Sequence, residues 1–310
     1  MPADDEQTLC VSCRLTQVLP NLELPGKLEQ WARLESAKRR LVYSLIELKL
    51  PLQSRQQDPV RGLAFEFLSD ELVADAPVLT GHDNGLITIN AAEADDLERE
   101  KRRLALHEPY RTLLGHFRHE VGHYYWDQLI KDDAAKLDAF RALFGDERDD
   151  YAAALQRHYQ AGPAADWQTR FVSSYASSHP WEDWAETWAH YLHMIDSLET
   201  AAACGLALQP KRRDEPRLQP PPNVEASRTQ PFDQMIDNWL SLTYALNSLS
   251  RSLGHEDIYP FALSYLALRK MQFVHEVVAA AGAAGVPGGL AAIEVVRRLL
   301  PAEEVPQPVS

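Results

Sequence analysis

A single pentad, His119-Glu120-Val121-Gly122-His123, constrains this chain more than any other stretch of its 310 residues. An α-helix stacks residues i and i+4 on one face, so the two imidazoles project the same way and can approach a common centre. Two nitrogen donors at that spacing suit two corners of a tetrahedral zinc ion, and Glu120 between them stands beside such a metal as a base. The flanks agree with a helix. Pro109 is acceptable in a first turn and apolar residues recur at helical spacing as far as Ile130, which predicts a helix of about six turns. His116, three residues before His119, is a further candidate for the same cleft.

A reactive zinc needs a third protein donor and a fourth position left to water. The stretch from Tyr175 to His193 supplies the donor. Pro180 can open a helix after a Ser and His loop, and Trp181, Trp184, Ala185, Trp188 and Leu192 then form an apolar stripe at spacings of three and four. Glu182 and Glu186 lie one turn apart on another face. Such a pair suits a division of labour in which one carboxylate holds the metal and the other hydrogen-bonds a ligand histidine. Asp127, four residues after His123, is another candidate for that supporting role, or else an exposed helix acid.

Four strings as they stand here, HEVGHYYWD, WEDWAETWAHYLH, DNWLSLTYALNSLSRSLG and DIYPFALS, resemble those of a gluzincin family, the bacterial zinc-binding metallopeptidases with an N-terminal zinc ribbon. The resemblance spans the chain from about Cys10 to about Val278. It implies bound Zn2+, hydrolysis of peptide or protein substrates, and a ligand set of His119, His123 and Glu182 with Glu186 orienting a ligand histidine. The segment around Tyr175 is also similar to anthrax lethal factor, where a tyrosine seven positions before the glutamate ligand faces the reaction centre. That likeness implies Tyr175 as an oxyanion stabiliser. In this chemistry the metal acidifies a water and polarises the scissile carbonyl, while Glu120 takes the water proton and passes it to the leaving amine. A hydroxyl from Tyr175 would share the oxyanion charge. Two other classes compete: a zinc-holding interaction protein without turnover, and a zinc hydrolase of a non-peptide amide. Glu120 speaks against the first, because a closed structural site has no use for a base.

Cys10-Val11-Ser12-Cys13 is half of a zinc ribbon and lacks two further ligands. We read it as a degenerate knuckle, with Cys10 and Cys13 as candidate structural zinc ligands, and Cys204 as a buried thiol. A formal net charge of -14 argues against nonspecific binding to nucleic acid or anionic membrane. With 45% hydrophobic residues, no apolar run of about 20 residues and no charged-then-apolar leader, a cytoplasmic enzyme with a sizeable core is expected.

The expected architecture is α+β and mostly helical, a zincin-like fold with a small antiparallel sheet over the HExxH helix and a C-terminal helical part. Residues 25–208 form the catalytic core, after a segment 1–24 that holds the cysteine knuckle; 209–231 is a proline-rich connection, 232–281 two helices packed on the core, and 282–310 a tail. Leu63, Phe65 and Phe67 alternate as a strand, and Val78 to Thr80 and Leu86 to Asn90 flank an Asn84-Gly85 hairpin signal. The sheet edge is a candidate surface for an extended substrate. Ala91 to Leu106 reads as a charge-dense, solvated helix. Helices are further expected over Pro25–Leu50, Asp133–Leu143, Arg148–Tyr159, Phe232–Leu253 and Ile258–Ala281.

Overall fold

Capping residues set most of the element boundaries in the computed structural model, which describes residues 8–70, 78, 80–95, 112–211 and 214–284. In chain order the elements are α1 (Val11–Arg14), β1 (Thr16–Val18), α2 (Lys27–Glu47), β2 (Ala64–Leu68), β3 (Gly81–Asp83), β4 (Leu86–Asn90), α3 (Leu113–Leu129), α4 (Ala134–Phe144), α5 (Tyr151–Ala161), α6 (Pro180–Ala203), α7 (Val224–Thr229), α8 (Phe232–Ser252) and α9 (Tyr265–Ala284). Thr112, Asp133 and Asp150 each accept a backbone N–H of the first turn, at 3.0, 3.1 and 3.0 Å, and so start α3, α4 and α5. Pro180 opens α6 at a position where no N–H is needed. The expected lead-in from Pro109 and most of the charge-dense helix lie outside the described residues; within them, Ala91–Ala94 is a 3-10 turn. The helix α9 starts at Tyr265 rather than at the expected Ile258, and runs past the expected end to Ala284.

The four strands are ordered β1-β2-β4-β3, with β1–β2 and β2–β4 parallel and only β3–β4 antiparallel. The sheet is therefore mixed, which corrects the antiparallel expectation. An Asn-Gly signal specifies a local hairpin, whereas parallel pairing joins distant strands and leaves no local mark. The hairpin is also tighter than expected: β3 starts at Gly81, and Asn84 and Gly85, with φ of 46° and 85°, form the two-residue turn. Val78 and Thr80 stay outside the ladder, where the Asn90 amide donates to the Val78 carbonyl at 2.9 Å and Thr80 Oγ1 accepts the Asn90 N–H at 3.2 Å.

One face of the sheet rests on α3 through Phe65 and Phe67 against Phe117, with ring centroids 5.7 and 6.2 Å apart. On its other side α3 packs against α6. Of the stripe read from the sequence, Trp184, Ala185, Trp188 and Leu192 are fully buried there, and Trp181 is partly buried. Gly122 permits the close approach: a Cβ at this position would lie 3.1 Å from Ala185 Cα and 3.3 Å from Trp188 Cβ. The Trp184 indole donates to the Gly122 carbonyl at 2.8 Å across the same crossing. The helices α8 and α9 join the same core through residues such as Met235, Trp239, Met271 and Phe273.

Buried ion pairs tie the periphery to this centre. Lys38 pairs with Glu35 at 2.6 Å inside α2, and Arg118 of α3 with Asp196 of α6 at 2.5 Å. Lys270 of α9 reaches Asp183 of α6 at 2.5 Å and the Arg170 carbonyl at 2.9 Å. Removing one member of such a pair strands a buried charge. Burial already holds the Asp183 carboxyl up at about 7 against the pull of Lys270, so it can relieve part of that cost by taking a proton. Lys270→Met is expected to destabilise the fold by about 3 kcal/mol, at the lower end for a broken buried pair. Urea unfolding of the variant checks this, and Lys270→Met combined with Asp183→Asn should recover part of the loss.

His190 lies inside α6 with Nδ1 2.8 Å from the Tyr259 hydroxyl. Burial lowers its pKa from 6.5 to about 4, outweighing the opposing effect of Glu186. As pH falls, the unfolded imidazole gains its proton near 6.5 and the folded one only near 4, so protons favour unfolding between these values and stability is lost there. The loss amounts to at most about 1.4 kcal/mol per pH unit for each such histidine. Urea midpoints measured across this window should fall more steeply for the parent than for His190→Gln.

Candidate metal centre

Helical geometry brings His119 and His123 side by side on α3, with ring centroids 5.0 Å apart. Glu182, in the first turn of α6, faces both. Its Oε2 lies 2.9 Å from His119 Nε2 and its Oε1 3.5 Å from His123 Nε2. One turn on, Glu186 Oε1 meets His119 Nδ1 at 2.8 Å, and Glu186 Oε2 accepts the Ser173 hydroxyl at 2.6 Å. An ionised carboxylate only accepts, so Nδ1 of His119 carries a proton toward Glu186, and its Nε2 points at Glu182.

His119 and Glu182 thus form a buried ion pair in which Glu182 Oε2 makes no well-aligned hydrogen bond. A metal ion would take the place of the proton on His119 Nε2 between the same two groups. The donor atoms of His119, His123 and Glu182 all lie within 4.8 Å of one another, and among the described residues this is the one cluster of three or more potential metal ligands. Two imidazole nitrogens and a carboxylate oxygen are a donor set suited to zinc, with a fourth position unfilled by protein.

The electrostatics are those of a buried anionic pocket held by imidazoles. Glu182 is 1% exposed; burial raises its pKa, but His123 and His119 overcome this and hold the carboxyl well below its ordinary range. Glu186 is likewise brought down to about 2, against burial, by its bond to His119. His119, disfavoured as a cation by burial, is held well above its usual value by Glu182 and Glu186. Glu120 differs from the other two acids. It is 9% exposed, and burial raises its pKa despite the nearby His119 and His123.

Tyr175 occupies a 3-10 turn before α6, with its ring 5.9 Å from that of His119. Burial and the neighbouring Glu182 hold its phenol well above the usual value, so it remains a proton donor. Sequence reasoning missed Tyr151. The hydroxyl of this first residue of α5 donates to Glu182 Oε1 at 2.7 Å, a contact across 31 residues with no local signal beyond the Asp150 cap. It also missed the other wall, where Trp181 packs on His123 at 4.4 Å between centroids and His82 of β3 stacks on it at 6.3 Å. A cavity of about 260 Å³ opens beside them, lined in part by Trp126, Asp127 and Glu147.

Other expected residues lie elsewhere. Asp127 pairs with Lys131 at 2.9 Å rather than with His123, because one further helical turn rotates its side chain by about 40° away from the histidine face. His123 Nδ1 is buried without a hydrogen-bond partner. His116 Nδ1 lies 3.2 Å from Glu93, outside the cluster. Cys10 and Cys13 have their sulfurs 3.5 Å apart at α1. Cys204 is exposed rather than buried, because it caps the C-terminus of α6 just before Gly205 turns the chain at φ 65°.

Comparison with known proteins agrees with this geometry. A Mycobacterium bovis protein and two Mycobacterium tuberculosis proteins, each bearing the name "Uncharacterized protein", are 51% identical to the chain over 278 residues, which is 90% of this chain and 78% of each relative. No solved structure matches the chain. The family described as "Putative zinc-binding metallo-peptidase" matches residues 27–277, a span that contains β2, β3 and β4, both helices of the histidine and glutamate cluster, α8 and most of α9. The chain belongs to this zinc-binding metallopeptidase family.

Proposed function

We propose that the protein is a zinc-dependent peptidase, with the metal held by His119, His123 and Glu182 and with Glu120 as general base. The observation that carries this reading is the convergence of one donor atom each from His119, His123 and Glu182 within 4.8 Å of one another. When bound, zinc supplies a Lewis acid that polarises a scissile carbonyl and acidifies the attacking water. Glu120 belongs to the same helix turn as both histidines, and burial keeps its carboxylate basic enough to take a proton from water and deliver it to the departing amine. Tyr175, neutral and facing His119, donates its hydroxyl to the oxygen that becomes negative as the carbonyl is attacked. Glu186 holds His119 in the tautomer and orientation that direct Nε2 inward. The edge strand β3, whose outer side no other strand among the described residues pairs with and whose His82 stands beside His123, is the surface on which an extended peptide would lie as an added strand.

The two glutamates of α6 should separate in metal binding. Glu182→Gln is expected to lose tightly held zinc, whereas Glu186→Gln retains it with affinity lower by about 10- to 100-fold. Elemental analysis with chelator competition reads this difference; the reverse order would move the ligand to Glu186.

Catalysis should separate from metal binding at Glu120 and Tyr175. Glu120→Gln is expected to keep its zinc and lose nearly all cleavage of a broad peptide library. Tyr175→Phe should keep zinc and KM while kcat falls by about 100-fold, the usual cost of one oxyanion donor. A Glu120→Gln enzyme as active as the parent would falsify the peptidase mechanism.

A further inference from the structure

Tyr151 is the one hydroxyl that the proposed mechanism leaves unused yet that touches a proposed ligand directly. It donates to Glu182 Oε1 at 2.7 Å, so the two oxygens of that carboxylate are not equivalent: Oε1 is engaged, and Oε2, facing His119 Nε2 at 2.9 Å, makes no well-aligned hydrogen bond. The position of Tyr151 is itself fixed from both sides. Asp150 caps α5 and sets the first turn that carries the tyrosine, with its Oδ1 accepting the Ala153 N–H at 3.0 Å. His179 then ties that turn to α6. Its Nδ1 accepts the Trp181 N–H at 3.1 Å, which requires the proton on Nε2, and Nε2 donates to the Asp149 carbonyl at 3.1 Å. The Tyr151 ring stands edge-on to His179 at 5.1 Å and to Trp181 at 6.3 Å.

One histidine therefore caps the helix that bears Glu182 and anchors the strand of chain that delivers the phenol to it. The arrangement is short, buried at His179 (4% exposed), and independent of the Glu186 to His119 bond on the opposite side of the cluster.

We propose that Tyr151 is a positioning residue for the metal centre, held by the His179 strap, which occupies Glu182 Oε1 so that Glu182 presents a single oxygen, Oε2, to the ion. The inference rests on the zinc reading above. A glutamate confined to one coordinating oxygen leaves room for water and substrate, whereas one free to swing onto both oxygens would crowd the open position that a catalytic site requires. Glu182 thus needs two supports of different kinds: imidazoles to keep it ionised and a phenol to choose its oxygen.

The test uses the full chain loaded with zinc or with cobalt(II), parent and Tyr151→Phe side by side. The substitution keeps the ring contacts and deletes only a hydroxyl on a residue that is 40% exposed, and near-parental thermal unfolding of the apo form checks that the fold survives. Chelator competition should show zinc affinity reduced by about 10- to 100-fold, the usual cost of losing a group that orients a ligand. The cobalt form should lose visible absorption intensity as the freed oxygen raises the coordination number, a change that a purely structural role for Tyr151 would not produce. If the parent binds zinc and Tyr151→Phe matches it in both affinity and spectrum, the positioning role is overturned while the metal site stands. A parent that takes up no zinc overturns both.

Discussion

The distance between α3 and α6 governs everything at the site. Two histidines on one helix and a glutamate on another can share an ion only if the backbones run closer than ordinary side chains permit. Gly122 supplies that closeness from inside the HEVGH pentad, where a methyl group would press on Ala185 and Trp188. The Trp184 indole, donating to the Gly122 carbonyl, fixes the crossing in register. The pentad thus encodes packing as well as chemistry: its ends carry donors, its second residue a base, and its fourth the absence of a side chain. The sheet contributes from the opposite side, with Phe65 and Phe67 holding α3 by Phe117 so that the helix cannot retreat from its partner.

That proximity concentrates charge. Glu120, Glu182 and Glu186 all converge on two imidazoles within a largely buried pocket, and the protein shifts their carboxyls differently by giving each a different partner. Glu186 receives hydrogen bonds from His119 and Ser173, Glu182 one from Tyr151, and Glu120 is shifted upward because burial outweighs the cationic pull it feels. Carboxylates whose environments drive them apart are the usual basis for separate roles in one site. Further out, the imidazoles of His190 and His193 are buried as neutral groups against Tyr259 and Arg118, and serve the fold.

What the sequence disclosed and what it withheld follow one physical line. Features set by helical periodicity were legible: the shared face of His119 and His123, the tryptophan stripe of α6, and the one-turn spacing that puts Glu182 and Glu186 on either side of the same imidazole. The Asn84-Gly85 turn was legible for the same reason, since its backbone requirement is local. Tyr151, His82 and His179 were not, because loops and separate elements deliver them and loop paths leave no periodic trace. The parallel pairing of β2 with β4 was hidden in the same way. Asp127 shows the limit of periodicity itself, for an i+4 step repeated twice drifts off the original face and turns toward Lys131. Cys204 was misjudged because its apolar neighbours suggested burial, whereas the helix end exposes it.

The pairing of Lys270 with Asp183 links sequence positions 87 apart, and its acidic partner is the immediate neighbour of Glu182. Synthesis runs from the N-terminus, so every residue of the proposed centre leaves the ribosome well before α9 does. Until Lys270 arrives, the first turn of α6 can be buried only with Asp183 protonated. The helix turn that carries Glu182 therefore gains its charged partner only from the last helix of the described chain.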